Sequence, residues 1–166
     1  MFYQVFVRIA LTEELSRLLM LLIFFLISSR IKTDNTLNKA PSFNTVNRGT
    51  AIGLVAGLGF AILESARYAA EGMDISVVLL RFFTAALHGA CGSRIGAAAV
   101  LIRTNPGLAI LRIVTATAIH GVYNFLVSIP GIPSIGAILI ALSALATAIM
   151  TIRGPDPAID KEPENT

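Results

Sequence analysis

Two glutamates stand side by side at Glu13 and Glu14, with Arg17 three residues on, inside a stretch that is otherwise apolar. A third, Glu64, closes the run Gly57-Leu58-Gly59-Phe60-Ala61-Ile62-Leu63-Glu64. Arg81 and His88 share a third apolar run at a separation of seven, and His120 and Asn124 share a fourth at a separation of four. Both spacings put the two residues on one helical face. Carboxylates and imidazoles gathered in a water-accessible pocket suit hydrolysis of an amide. A glutamate takes a proton from water while imidazole and amide groups steady the developing oxyanion. Glu64, His88 and His120 also offer an O, N, N set for a divalent metal such as zinc, with a position left for water. Activation by glutamate alone and activation with a metal both fit these residues.

The elements that must position them are transmembrane helices. Of the 166 residues 55% are hydrophobic and 14% charged, more apolar surface than a soluble domain of this length can hide. Five apolar segments, about 4–29, 50–69, 75–102, 107–129 and 132–152, each reach the roughly 20 residues a spanning helix needs. The backbone must satisfy itself inside lipid, which selects helices for such runs. The expected fold is therefore all-α, a polytopic membrane helical bundle of about five transmembrane helices over residues 1–153. Residues 154–166, rich in Pro and acids, are expected to form a disordered cytoplasmic tail. Glu13, Glu14 and Arg17 interrupt the first segment, which argues for a retained span rather than a cleaved signal peptide. Gly53-x-x-x-Gly57 and Gly92-x-x-x-Gly96 offer small faces for close helix contact. Cys91 is the single cysteine, so no intrachain disulfide or cysteine zinc cluster is expected. The basic residues are dispersed beside and within the spans, which argues against nucleic acid and points to the lipid bilayer as the partner. Oligomeric state has no signal in the sequence.

Charge asymmetry sets an expected orientation. Arg30, Lys32, Lys39 and Arg48 crowd the first connection against Asp34 alone, Arg103 marks the third, and Arg153 ends the last span. The positive-inside rule places these ends and the C-terminus in the cytoplasm and the N-terminus outside, in a multi-pass protein of the cell membrane. At 1.5 Å per residue, Glu64 and Asn124 then lie about 8 Å from the outer ends of their spans. By the same arithmetic His120 lies about 13 Å in, Glu13 and Glu14 about 14 Å, and His88 about 20 Å. Ionisable groups at such depth are costly unless they share a cavity or partners, and their overlap predicts one site in the outer half. Taken singly, Glu13 with Arg17 and Glu64 with Arg67 also read as ordinary intrahelical pairs.

The order of these motifs resembles the PrsW family of intramembrane peptidases, within the larger superfamily that holds the CAAX-processing prenyl proteases. Glu13-Glu14 with Arg17 resembles the family's first motif, although the family usually has Lys at that last position. The run Gly57 to Glu64 is similar to its second, with Ser65 where the family usually has Asn. Arg81 through His88 resembles the third, and His120-Gly121-Val122-Tyr123-Asn124 the fourth. The resemblance implies an endopeptidase acting on membrane-anchored protein substrates, including first-step cleavage of anti-sigma factors on the outer side. Residues 1–153 would then be a peptidase-like domain. Glu13 or Glu14 would activate water, and Glu64, His88 and His120 would bind a metal or hold the oxyanion. Asn124 would orient the intermediate or a ligand, with Arg17 and Arg81 in support. A proteolytically inactive scaffold and a small proton-coupled transporter are the rival readings, since intramembrane Glu and His also build packing contacts and proton relays.

Overall fold

A computed structural model describes residues 2–31, 45–72, 74–129 and 133–154 of the chain. Five helices follow one another: α1 (Thr12–Ile31), α2 (Val46–Ala70), α3 (Ile75–Leu101), α4 (Pro106–Val127) and α5 (Pro133–Arg153). A π-helical stretch, Gln4–Leu11, runs directly into α1. The five spans expected from hydropathy are thus matched by five helices, with ends shifted by a few residues. Three of them, Val46–Ala70, Pro106–Val127 and Ile135–Arg153, are long and apolar enough to cross a membrane. The basic residues Lys32 and Lys39 of the first connection, residues 130–132 and the tail after Gly154 lie outside the described residues.

Local chemistry explains the helix ends. Thr45 caps α2, its hydroxyl accepting from the Arg48 N–H at 3.4 Å. The Asn105 side chain caps α4 by accepting from the Leu108 N–H at 3.1 Å, and Pro106 supplies a first helical residue with no N–H to satisfy. After α2 the chain turns through Gly72 at φ 84°, a left-handed conformation that suits glycine.

α3 is the central helix, packed against α1, α2, α4 and α5 and buried almost all round from Ala86 to Ala99. Its tightest contact is with α2. A Cβ on Gly53 would stand 2.1 Å from the Gly92 carbonyl oxygen, and one on Gly57 would stand 2.0 Å from that of His88. One on Gly96 would stand 2.0 Å from the Gly49 carbonyl oxygen, so the two backbones touch along three turns. The small faces noted in the sequence face each other, antiparallel and in a single register. Arg94, half-buried on α3, donates to the Ala90 and Ala144 carbonyls and to the Thr147 hydroxyl, which ties α3 to α5.

The first helix changes partner along its length. Its π-helical start lies on α4, where the Phe6 ring fills the space beside Gly121, while α1 proper lies mainly on α3. The π geometry carries an extra residue per turn and often marks functional sites. Glu13 and Glu14 follow it at once, at the point where the chain passes from α4 to α3.

Substitution of Gly53 by Leu is expected to lower stability by about 1–3 kcal/mol, because α2 must separate from α3. Alanine at Gly59, where nothing among the described residues lies within 4 Å of a Cβ, is expected to be neutral or mildly stabilising. Thermal unfolding of the two variants in detergent measures the contrast.

Candidate active site

Four helices each bring polar groups to one place. Glu14 is fully buried on α1, and its carboxylate is shared between two partners. Oε1 lies 2.7 Å from Nδ1 of His120 on α4, and Oε2 is paired with Arg17. Arg17 continues the chain of contacts, reaching Nδ1 of His88 on α3 with Nη2 at 3.3 Å. His88 then meets Glu64 of α2 through Nε2 at 3.0 Å, and Glu64 closes an ion pair with Arg81 at 2.6 Å. The two imidazoles lie edge to face with ring centroids 5.1 Å apart. Glu13, Glu14, Arg17, Glu64, Arg81, His88 and His120 thus form one connected cluster.

The α2–α3 register explains how Glu64 gets there. Gly57 lies against His88, and two turns further along α2 the same antiparallel alignment carries Glu64 to Arg81, two turns back along α3. The intrahelical pairs suggested by spacing are replaced. Arg17 pairs with Glu14 rather than Glu13, and Arg67 pairs with Glu71 at 3.6 Å rather than with Glu64. Tertiary contacts to buried imidazoles outweigh surface pairs, which contribute little.

The proton positions follow from the partners. A guanidinium only donates, so His88 Nδ1 accepts from Arg17 and its Nε2–H donates to Glu64. Glu14 accepts from His120 Nδ1–H, which leaves the His120 Nε2 lone pair free. That nitrogen faces Oε2 of Glu13 at 3.7 Å, too far for a hydrogen bond. Glu13 Oε2 is buried and has no hydrogen-bond partner among the described residues. Two acceptors therefore confront each other across a gap, an arrangement that a bridging water or cation would satisfy.

The residues fit a divalent metal. Ligand atoms of Glu13, His88 and His120 lie within 4.8 Å of one another. Each imidazole gives its N–H to a carboxylate, Glu14 for His120 and Glu64 for His88, the pairing that orients metal-binding histidines. Arg17 competes for the lone pair of His88 Nδ1. The converging set differs from the Glu64, His88, His120 set drawn from sequence. Glu64 is engaged by His88 and Arg81, and Glu13 stands in the third position.

Asn124 sits one turn beyond His120 on α4, half-buried, and its amide makes no hydrogen bond among the described residues. Other contributors were not singled out by sequence. Phe60 packs edge-on against His88, with ring centroids 5.0 Å apart, and underlies the Arg17 guanidinium. Its spacing of four from Glu64 was the available signal. Ser65 accepts from Arg81 Nε at 3.1 Å, and Tyr68 stacks on the same guanidinium. Tyr123 and Thr84 share a 2.9 Å hydrogen bond that joins α4 to α3 beside the cluster.

One family model, described as PrsW family intramembrane metalloprotease, matches residues 1–151. No curated protein and no solved structure matches the chain.

Burial and free acceptors separate two glutamates that adjoin in sequence. Glu14→Ala strands Arg17 and His120 and is expected to cost about 3–5 kcal/mol of stability. Glu13→Gln removes no hydrogen bond and is expected to change stability by less than about 0.5 kcal/mol. Unfolding of the two purified variants tests this; equal losses would show that Glu13 is a packing residue.

Proposed function

Because the chain belongs to the PrsW family of intramembrane metalloproteases, we propose that Glu13, His88 and His120 form the reactive centre that cuts its membrane-anchored protein substrates. The observation that carries this reading is the unpartnered Glu13 Oε2 facing the free Nε2 of His120. Membership favours peptide hydrolysis over the scaffold and transporter readings.

Each residue has a role that its contacts suggest. The lone pairs of Glu13 are available to a water proton or to a cation. Glu14 holds His120 in the tautomer that turns Nε2 inward, and Glu64 does the equivalent for His88. Arg17 pairs with Glu14 and bridges the two histidine systems. Arg81 fixes Glu64 from the far side, helped by Ser65 and Tyr68. Asn124, one turn from His120 with no amide hydrogen bond among the described residues, would donate to the oxygen of the scissile carbonyl. A divalent metal such as zinc would be held by Glu13, His88 and His120. It would supply a Lewis acid that polarises the carbonyl and acidifies water.

The orientation supports an outer-side substrate. Asn47 Nδ2 donates to the Gly154 carbonyl at 2.8 Å, so the start of α2 and the end of α5 share one end of the bundle. Arg48 and Arg153 lie at that end, and Arg103 follows the end of α3, which runs antiparallel to α2. Positive charge gathered there reads as the cytoplasmic side. Glu64 and Arg81 lie towards the opposite end, and the favoured substrates are anchored proteins cut near the outer face, of the anti-sigma-factor kind.

Cleavage of a single-span reporter by purified protein in lipid vesicles tests the peptidase. Glu13→Gln and His120→Ala are each expected to lower the rate by at least about 100-fold, the scale on which a positioned acid or base contributes. Glu64→Gln is expected to weaken zinc binding, read by competition with a chromophoric chelator, by about 10–100-fold. Chelation that leaves the wild-type rate intact would remove the metal and leave Glu13 as the base. A reporter enzyme fused after Thr166 should be active only when it functions in the cytoplasm; activity confined to the outside would reverse the orientation.

A further inference from the structure

α1 and α2 both lie on α3, yet no extensive interface joins them to each other among the described residues. They approach where the Arg17 guanidinium lies over the Phe60 ring. Beside this contact runs a cleft of about 890 Å³, at the upper end of the range for ligand-binding pockets. Glu13, Ser16 and Met20 line its α1 wall, and Val55, Gly59 and Leu63 line its α2 wall. The cleft is apolar along most of its length and polar where it reaches Glu13. Val55 and Met20 are 68% exposed in the isolated chain, so the cleft faces the lipid rather than the bundle interior.

Gly59 sets this cleft apart from an ordinary helix groove. A glycine in a helix interior costs about 1 kcal/mol relative to alanine. At Gly49, Gly53 and Gly57 that cost is offset by backbone contact with α3. At Gly59 nothing among the described residues comes within 4 Å of a Cβ, and the residue is exposed on the cleft wall. A missing side chain there admits a close approach from outside the chain. Ser16, on the opposite wall, gives its proton to the Thr12 carbonyl at 2.7 Å and keeps its lone pairs for another donor.

We propose that the α1–α2 cleft is the lateral path by which a membrane-spanning segment of the substrate leaves the lipid and reaches Glu13, its locally unwound backbone passing over Gly59. The cleft's role rests on the peptidase reading of the Glu13 site. Unwinding is required because a helical peptide carbonyl is already hydrogen-bonded and screened by its own side chains. An unwound segment brings bare N–H groups, which need acceptors such as Ser16 within the membrane. A lipid acyl chain would be satisfied by the apolar walls but has no N–H groups for Ser16.

The test uses p-benzoylphenylalanine placed at Val55 and, as a control, at Leu139, an exposed residue of α5 outside the cleft. The protein is reconstituted in phosphatidylcholine–phosphatidylglycerol vesicles with a Leu/Ala peptide of about 20 residues that carries a short polar outer segment. Irradiation is expected to give at least about tenfold more peptide adduct from Val55 than from Leu139. Gly59→Leu, whose Cβ meets nothing within 4 Å among the described residues and whose side chain would occupy the cleft, is expected to lower both the adduct and reporter cleavage by about tenfold while the unfolding temperature is kept. Equal adducts from the two positions would overturn the proposal, as would adducts of Val55 with lipid or a second copy alone. Preferential labelling without cleavage by the wild-type protein would sink the peptidase reading and leave the cleft's occupant standing. Cleavage with equal labelling would sink the cleft alone.

Discussion

The contact between the α2 and α3 backbones at their glycines is the constraint on which the rest of the site depends. Carbonyl oxygens and α-carbons of the two helices meet with no space for a Cβ, so neither helix can slide or rotate without a clash. Within lipid no hydrophobic force draws helices together, and close packing of this kind supplies the association. The register it imposes is what carries Glu64 to both Arg81 and His88. α3, clamped from this side, presents His88 and Cys91 to α1 and α4 on the others; the Cys91 thiol is spent on the Ala116 carbonyl and is inert packing.

A buried cluster of charges is weak evidence of stability, since desolvation often exceeds what pairing returns. The cluster here is organised rather than merely neutralised. Each imidazole has one carboxylate partner, each guanidinium bridges two groups, and the aromatic rings of Phe60 and Tyr68 pack beside the cations. Such partners fix tautomers and rotamers, which is what a reacting centre requires and a packing contact does not.

Much of this was legible in the sequence because the membrane makes polar residues conspicuous. Glu13, Glu14, Glu64, His88 and His120 stood out by depth and type alone, and their expected overlap matches a cluster with rings 5.1 Å apart. Helix number and the facing glycines were legible for the same reason, through hydropathy and small-residue spacing. What spacing could not assign was pairing. Glu14 rather than Glu13 takes Arg17, and Glu13 rather than Glu64 joins the two histidines, because rotation of the first helix depends on its π-helical start and on Phe6 against Gly121. Phe60 lies among apolar neighbours, where only its spacing of four from Glu64 sets it apart.

Charge balance accounts for the position of Glu13. Glu13, Glu14 and Glu64 bring three carboxylates, and Arg17 and Arg81 bring two guanidiniums, so one carboxylate has no cation of its own. Glu14 and Glu64 take the two arginines, and the surplus falls on Glu13, the carboxylate that also lines the lipid-facing cleft. Its Oε2 lone pairs are not taken up among the described residues and are available to a cation or to a hydrogen-bond donor. On the proposed path, Glu13 is also where an arriving peptide would first meet the polar cluster. The unpaired carboxylate and the open wall at Gly59 suit the proposed role together: arginine–carboxylate and imidazole–carboxylate pairs hold the cluster on its inner sides, and Glu13 offers a free acceptor at the proposed substrate path.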